Sequence, residues 1–230
     1  MPSRSWGMDA SSTQPRRTGW LDPRGRRIGG IAFLVTRLTG LAVLGYLYLH
    51  LVALSLLARG PAAWDAFVAL ASSPPVLVLD VLLVTAILLH ALTGVRMALV
   101  GAGLLPAPPL DDPRLAARAP DSAWTWQVVS GALVLVLVPA HLVAQHLLVP
   151  GGLRDFEAVL AWLRSPVVVA MELLFLATVS WHGLLGLRAV LLDAGFAART
   201  ERRITRALGI VWILTVGYGL WLTSVIVGHT

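Results

Sequence analysis

The sequence predicts an all-α polytopic membrane protein with five transmembrane helices, the first four built as two parallel copies of one unit. Three observations carry that prediction. The 230 residues are 57% hydrophobic and only 13% charged, a composition far from that of a soluble globular domain. The apolar residues gather into five runs, roughly 31–58, 75–103, 124–149, 166–192 and 206–228, each long enough for the about 20 helical residues that cross a hydrocarbon core. The first four runs also repeat. His50-Leu51-Val52-Ala53 returns 91 positions later at 141–144, and His90, Gly94 and Arg96 return 92 positions later as His182, Gly186 and Arg188. Thr39-Gly40 answers Ser130-Gly131, Ser73-Pro74 answers Ser165-Pro166, and Asp80 answers Glu172. A repeat of this kind outranks any single motif.

Residues 1–29 are polar and Arg-rich and enter the first apolar run without a small-residue cleavage site. They read as a cytoplasmic tail, not a cleaved signal. Residues 30–230 form the membrane domain, with repeat units at about 31–103 and 124–192. The first span closes at Gly60-Pro61, and residues 62–72 read as a short interfacial helix carrying Trp64. Pro74-Pro75 opens the second span, and a Pro-rich stretch over 106–120 separates the two units. The third span opens at Trp124 and Trp126 and stops at Pro150-Gly151-Gly152, a strong turn signal. Residues 153–164, with Trp162, repeat the interfacial helix before the fourth span; the fifth span has no counterpart.

All 18 basic residues are Arg, and 15 of them fall on the side of the N-terminal tail and the 2–3 and 4–5 connections; Arg59, Arg154 and Arg164 lie on the other side. By the positive-inside rule the N-terminus is cytoplasmic and the C-terminus outside. Spans 1 and 3 then both run outward, which makes the copies parallel around an axis near the membrane normal. The charge therefore speaks for topology and not for nucleic acid. No cysteine is present. That excludes disulfides, thiolate iron–sulfur ligation and covalent haem attachment, so any redox centre must be held by His.

The histidines fall at two depths. At 1.5 Å per residue, His90 and His182 lie roughly 14–20 Å above the cytoplasmic helix ends, and His50 and His141 roughly 25–30 Å, two levels on the order of 10 Å apart. Each level holds one histidine from each copy. Haem iron takes two axial ligands and neutral imidazole is a good one, so the pattern points to an inner haem on His90 and His182 and an outer haem on His50 and His141. A lone membrane histidine could equally be a proton relay or bond a neighbouring carbonyl; four in matched layers favour haem. His146, without a repeat partner, reads as interfacial or near a quinone, and His229 as part of a solvated tail.

Gly94 and Gly186 sit one turn inward of a histidine, where a flat macrocycle needs room or helices pack closely. Gly40 and Gly131 lie ten residues before the outer histidines, where a helix could skirt the inner haem or simply pack. Arg37, Arg96 and Arg188 are near cytoplasmic helix ends, which topology demands and which also suits haem propionates. Asp80 and Glu172 are the acids well inside the spans, each ten residues before an inner histidine. Intramembrane carboxylates are costly and default to function, here delivery of protons to a quinone, although Asp80 could also snorkel to water.

On these residues the chain resembles the diheme cytochrome b membrane anchor of succinate:quinone oxidoreductases and quinol:fumarate reductases, the single-polypeptide, five-helix type. Thr39-Gly40 before His50, His90 with Arg96, Trp126-Gln127 and Ser130-Gly131 before His141, and His182-Gly183 with Gly186 carry the likeness, which spans about residues 30–220. The resemblance implies electron transfer to a quinone, menaquinone on this reading, near the outer of two b haems. It also implies Gln127 among the residues against a haem, and partners on the cytoplasmic side: a flavoprotein with covalent FAD and an iron–sulfur subunit. Arg37-Leu38-Thr39-Gly40 is similar to the Arg-x-Ser-Gly of the two-subunit anchors. One departure stands: some members carry a Glu two residues before the fourth-span histidine, where this chain has Ser180. From the residues alone, two other classes remain: a diheme cytochrome of a hydrogenase or formate dehydrogenase, and a haem-free parallel-repeat transporter or proton channel.

Overall fold

The computed structural model describes residues 27–106, 122–149, 151–192 and 197–228. Most of the N-terminal tail, the Pro-rich connection and His229 lie outside the described residues. The elements are α1 (Arg27–Leu54), α2 (Pro61–Ala71), α3 (Pro74–Gly101), α4 (Ser122–Leu142), α5 (Phe156–Leu163), α6 (Pro166–Leu192) and α7 (Ala198–Val227). No strand occurs among the described residues. Five of the helices are long and apolar enough to cross a membrane, so the chain is a polytopic all-α membrane protein.

Local chemistry explains the boundaries. Pro begins α2, α3 and α6, at a position whose missing N–H is no loss because the first-turn amides have no helical partner. Gly60 joins α1 to α2 with φ +90°, a conformation that favours glycine. Asp155 caps α5, its carboxylate accepting from the Ala158 amide at 2.8 Å, one of the orphan donors of a helix start. The last transmembrane helix begins at Ala198, eight residues before its apolar run. Hydropathy marks only the lipid-facing part; the polar turn Arg199 to Thr205 continues the same helix beyond it.

Helix α1 packs against α3 and α6, and α6 packs in turn against α4 and α7. Large apolar side chains point outward along the spans, Val81, Leu92 and Val136 each about two-thirds exposed, a surface that suits lipid and not water. The main apolar cluster is not at mid-membrane. It lies at the end of the bundle where α1 stops and α7 finishes, and there Leu57, Trp64, Phe156, Leu160, Leu222 and Ile226 come together. There the two short helices do more than lie at an interface. The Trp64 indole N–H donates to the Arg154 carbonyl at 2.9 Å, and the Phe156 amide donates to the Asp65 carboxylate at 3.0 Å. These bonds stitch the first half to the second.

Trp64 is only 5% exposed, so Trp64→Ala is expected to cost about 3–5 kcal/mol, as truncation of a buried aromatic does. Trp64→Phe keeps much of the burial and loses the hydrogen bond, for about 1 kcal/mol plus the penalty of the stranded carbonyl. Thermal unfolding of the purified protein would check the order; equal losses would place the stabilisation elsewhere.

Candidate functional site

The four histidines meet in two pairs, each pair crossing from one half to the other. The ring centres of His90 (α3) and His182 (α6) are 6.1 Å apart with planes at 81°. Those of His50 (α1) and His141 (α4) are 6.3 Å apart with planes at 89°. The helices that carry each pair are not extensively packed on one another, so the imidazoles reach across a gap. At these separations the two imidazoles of each pair could hold one metal ion between them.

Three of the four have an oxygen acceptor at Nδ1, and His182 also has the Gln127 amide nitrogen beside that atom. The His90 Nδ1–H donates to the Thr36 carbonyl at 3.0 Å, with the Thr39 hydroxyl 3.5 Å away. The Ser130 hydroxyl spends its proton on the Trp126 carbonyl at 2.7 Å, so its oxygen accepts from His182 Nδ1 at 3.2 Å. The His141 Nδ1–H donates to the Glu172 carboxylate at 2.9 Å. A proton held at Nδ1 leaves the Nε2 lone pair for a metal. For His50 no hydrogen-bond partner exists among the described residues; its ring stacks on Tyr46 with centres 5.8 Å apart.

The donor set fits haem. Each pair offers two imidazoles, and among the described residues no three His, Asp or Glu side chains converge as a metal cage. Beside His182, the Gln127 amide nitrogen lies 3.3 Å from both ring nitrogens, and its carbonyl oxygen is buried with no hydrogen-bond partner among the described residues. The glycines divide into two groups. A Cβ on Gly40 would come within 2.8 Å of His90 Cε1, and one on Gly131 within 3.0 Å of His182 Cε1. These glycines make room for the imidazoles themselves. A Cβ on Gly94 would meet nothing within 4 Å, and one on Gly186 only the Gln127 amide at 3.8 Å, so close helix packing does not account for them.

His90 rests against Thr36, Thr39 and Gly40 of α1. His50 lies ten to fourteen residues further along the same helix, which separates the two layers by roughly 15 Å after allowance for side-chain tilt.

Arg37, ten residues into α1, lies 3.9 Å over the Phe33 ring, Arg96 sits one turn before the end of α3, and the Arg188 Nε donates to the Thr205 hydroxyl of α7 at 2.9 Å. The two acids, equivalent in the repeat, differ in contacts. Glu172 is bonded to His141 and also accepts from the Gln145 amide at 2.6 Å. Asp80 has no hydrogen bond among the described residues and lies within charge–charge reach of Tyr46 and His146. His146 donates to the Gly152 carbonyl at 3.1 Å, and its ring centre is 6.1 Å from that of His141. Ser180 is fully buried and donates to the Leu176 carbonyl at 2.6 Å.

Sequence reading missed two features. Gln145 and Arg154 enter the polar cluster around Glu172, with the Arg154 Nε donating to the Gln145 carbonyl oxygen at 3.2 Å. The end of α4 also winds as a π-helical turn, Val143–Leu147, which carries Gln145 and His146. Pro139 inside α4 was the available signal, since proline withdraws a helix amide and a π turn is a common adjustment at functional sites.

The family described as succinate dehydrogenase/fumarate reductase transmembrane subunit matches residues 17–108 and 110–221. The chain is similar to the succinate dehydrogenase hydrophobic membrane anchor subunit of Archaeoglobus fulgidus, 34% identical over 100 residues, 44% of this chain and 85% of the relative. The protein of the same description from Thermoplasma acidophilum is 27% identical over 104 residues, 45% of this chain and 85% of the relative. The succinate dehydrogenase 2 membrane subunit SdhC of Mycobacterium tuberculosis is 31% identical over 119 residues, 47% of this chain and 87% of the relative. Each alignment nearly fills the relative and less than half of this chain, so these relatives are about half its length.

Gly40→Ala is expected to destabilise the protein by about 1–3 kcal/mol, because the methyl must displace a hydrogen-bonded ring. Gly45→Ala on the same helix would meet nothing within 4 Å and should be neutral or stabilising by up to about 1 kcal/mol from helix propensity. Thermal unfolding of both variants tests the contrast. A Gly40→Ala protein as stable as Gly45→Ala would remove the steric argument.

Proposed function

Because the chain belongs to the succinate dehydrogenase/fumarate reductase transmembrane subunit family, we propose that it is the membrane electron-transfer subunit of such a complex, joining an iron–sulfur partner to a quinone through two bis-histidine b haems. The observation that carries this reading is the pair of cross-half imidazole contacts at 6.1 and 6.3 Å. When bound, haem supplies one-electron carriage. His90 and His182 would hold the inner group, His50 and His141 the outer one. Gly94 and Gly186 leave space beside the inner pair, Gln127 offers it an amide, and Arg37, Arg96 and Arg188 supply cations near the inner helix ends for its propionates. Gly40 and Gly131 act one step back, by letting the inner imidazoles seat.

The remaining assignments follow from chemistry and charge. The Arg-rich face is cytoplasmic on this reading, with the N-terminus inside and the C-terminus outside, and it receives the iron–sulfur subunit and its FAD-bearing flavoprotein partner. The tail 1–29 and the membrane domain 30–230 divide the chain as the sequence does. Quinone, menaquinone on this reading, would bind beside the outer pair, and reducing it to quinol takes two electrons and two protons. Glu172 is engaged by His141 and Gln145, which leaves Asp80 as the carboxylate to deliver protons. Family membership favours this reading over a hydrogenase or formate dehydrogenase cytochrome, and over a transporter.

In the intact complex a pyridine haemochrome assay should give two haem b per chain. His50→Ala and His141→Ala should each remove one and the same haem, and His90→Ala and His182→Ala the other, as read by low-temperature absorption spectra. Loss of one haem by His50→Ala and His90→Ala alike would break the pairing, and haem-free wild-type protein would end the proposal.

A further inference from the structure

Among the four paired histidines, His141 alone is bonded to a carboxylate. His90 donates to a backbone carbonyl and His182 to a hydroxyl, both neutral acceptors, and His50 has no partner among the described residues. The surroundings of the His141 bond hold it in place. Glu172 and Phe175 lie one turn apart on α6, and the Phe175 ring centre is 4.8 Å from that of His141, so one helix face holds the imidazole by a bond and by an aromatic wall. The other carboxylate oxygen accepts from Gln145. Gln145 in turn accepts from Arg154, whose Nη2 also donates to the Ala144 carbonyl at 2.9 Å. Arg154 lies 4.3 Å over the Trp162 ring. A directed chain thus runs from a cation at the outer end, through an amide, to the carboxylate and the imidazole.

Resting on the haem assignment above, we propose that Glu172 is the positioning residue of the outer pair: it fixes His141 with Nδ1 protonated and Nε2 facing His50, and it makes that imidazole the most electron-donating of the four. A carboxylate on the far nitrogen of a metal-bound imidazole fixes its tautomer and raises its basicity. Stronger donation favours the oxidised iron, and hydrogen bonding to ligands is one of the ways a protein sets a haem potential. Gln145 and Arg154 keep the carboxylate aimed. The repeat-equivalent Asp80, one methylene shorter, does not bond His50, so the device acts on one side of one layer.

The test uses the holo complex, with potentiometric titration of each haem and low-spin ferric EPR spectra as readouts. The haem surviving in His141→Ala identifies the inner one. Glu172→Gln keeps shape and a neutral acceptor; it should retain both haems, shift the outer midpoint potential upward and change the outer EPR signal, with the inner haem unmoved. Glu172→Leu should shift it further and lower outer-haem occupancy, and Glu172→Asp should fail to restore the wild-type value because it cannot reach. Two haems with unchanged potentials in Glu172→Gln, or equal shifts in both, would overturn the proposal. Wild-type complex without two bis-histidine haems would instead overturn the functional reading beneath it.

Discussion

Inside a bilayer core, every polar hydrogen must find its acceptor within the protein, and that constraint organises this structure. The hydroxyls obey it locally. Thr36, Thr39, Thr85, Ser130, Thr178, Ser180 and Thr215 each donate to the carbonyl four residues back on their own helix. A hydroxyl so engaged has only an acceptor left to offer, which is how Ser130 can receive the proton of His182. The histidines, with one N–H each, must therefore be placed beside carbonyl, hydroxyl or carboxylate oxygens, and three of the four are. Satisfying the imidazole donors also selects their tautomer.

Duplication sets the plan and divergence sets the roles. The same offset places Gly40 against His90 and Gly131 against His182, and places Thr39 and Ser130 at the corresponding ring nitrogens. In these seats the halves behave alike. They part company in the outer layer, where Glu172 holds its histidine and Asp80 does not, and where the π turn of α4 has no counterpart in the 3₁₀ turn Ser55–Arg59 that follows α1. A one-methylene difference and one rewound turn convert equivalent positions into an anchored imidazole on one side and a stacked one on the other.

Much of this is legible in the residues alone. The five spans can be read because lipid demands long apolar helices, and the pairing because helix rise converts sequence position into depth. The seats of the inner rings are only half legible. Gly40 and Gly131 are visible as small residues near the inner histidine level, but which group they admit depends on how α1 meets α3 and α4 meets α6. The bond between Glu172 and His141 is not legible, because repeat equivalence pairs Glu172 with Asp80 and stresses what they share. Gln145 and Arg154 are hidden for different reasons. Gln145 is brought inward by a winding that periodicity cannot anticipate, and Arg154 has the position of an outer-face topology charge. Trp64 reads as an interfacial anchor by composition, yet it is buried because the other short helix covers it.

The division of labour between seat and partner has a further consequence. The Thr36–Thr39–Gly40 seat of His90 belongs to the first half, the Gln127–Ser130–Gly131 seat of His182 to the second, and Glu172 holds a histidine of its own half. Every histidine partner, by contrast, comes from the opposite half. Each half therefore brings its own seats, and an imidazole pair forms only where the two halves meet. The outer stitches from Trp64 to Arg154 and from Phe156 to Asp65 would then act as the latch that holds the assembled pair shut.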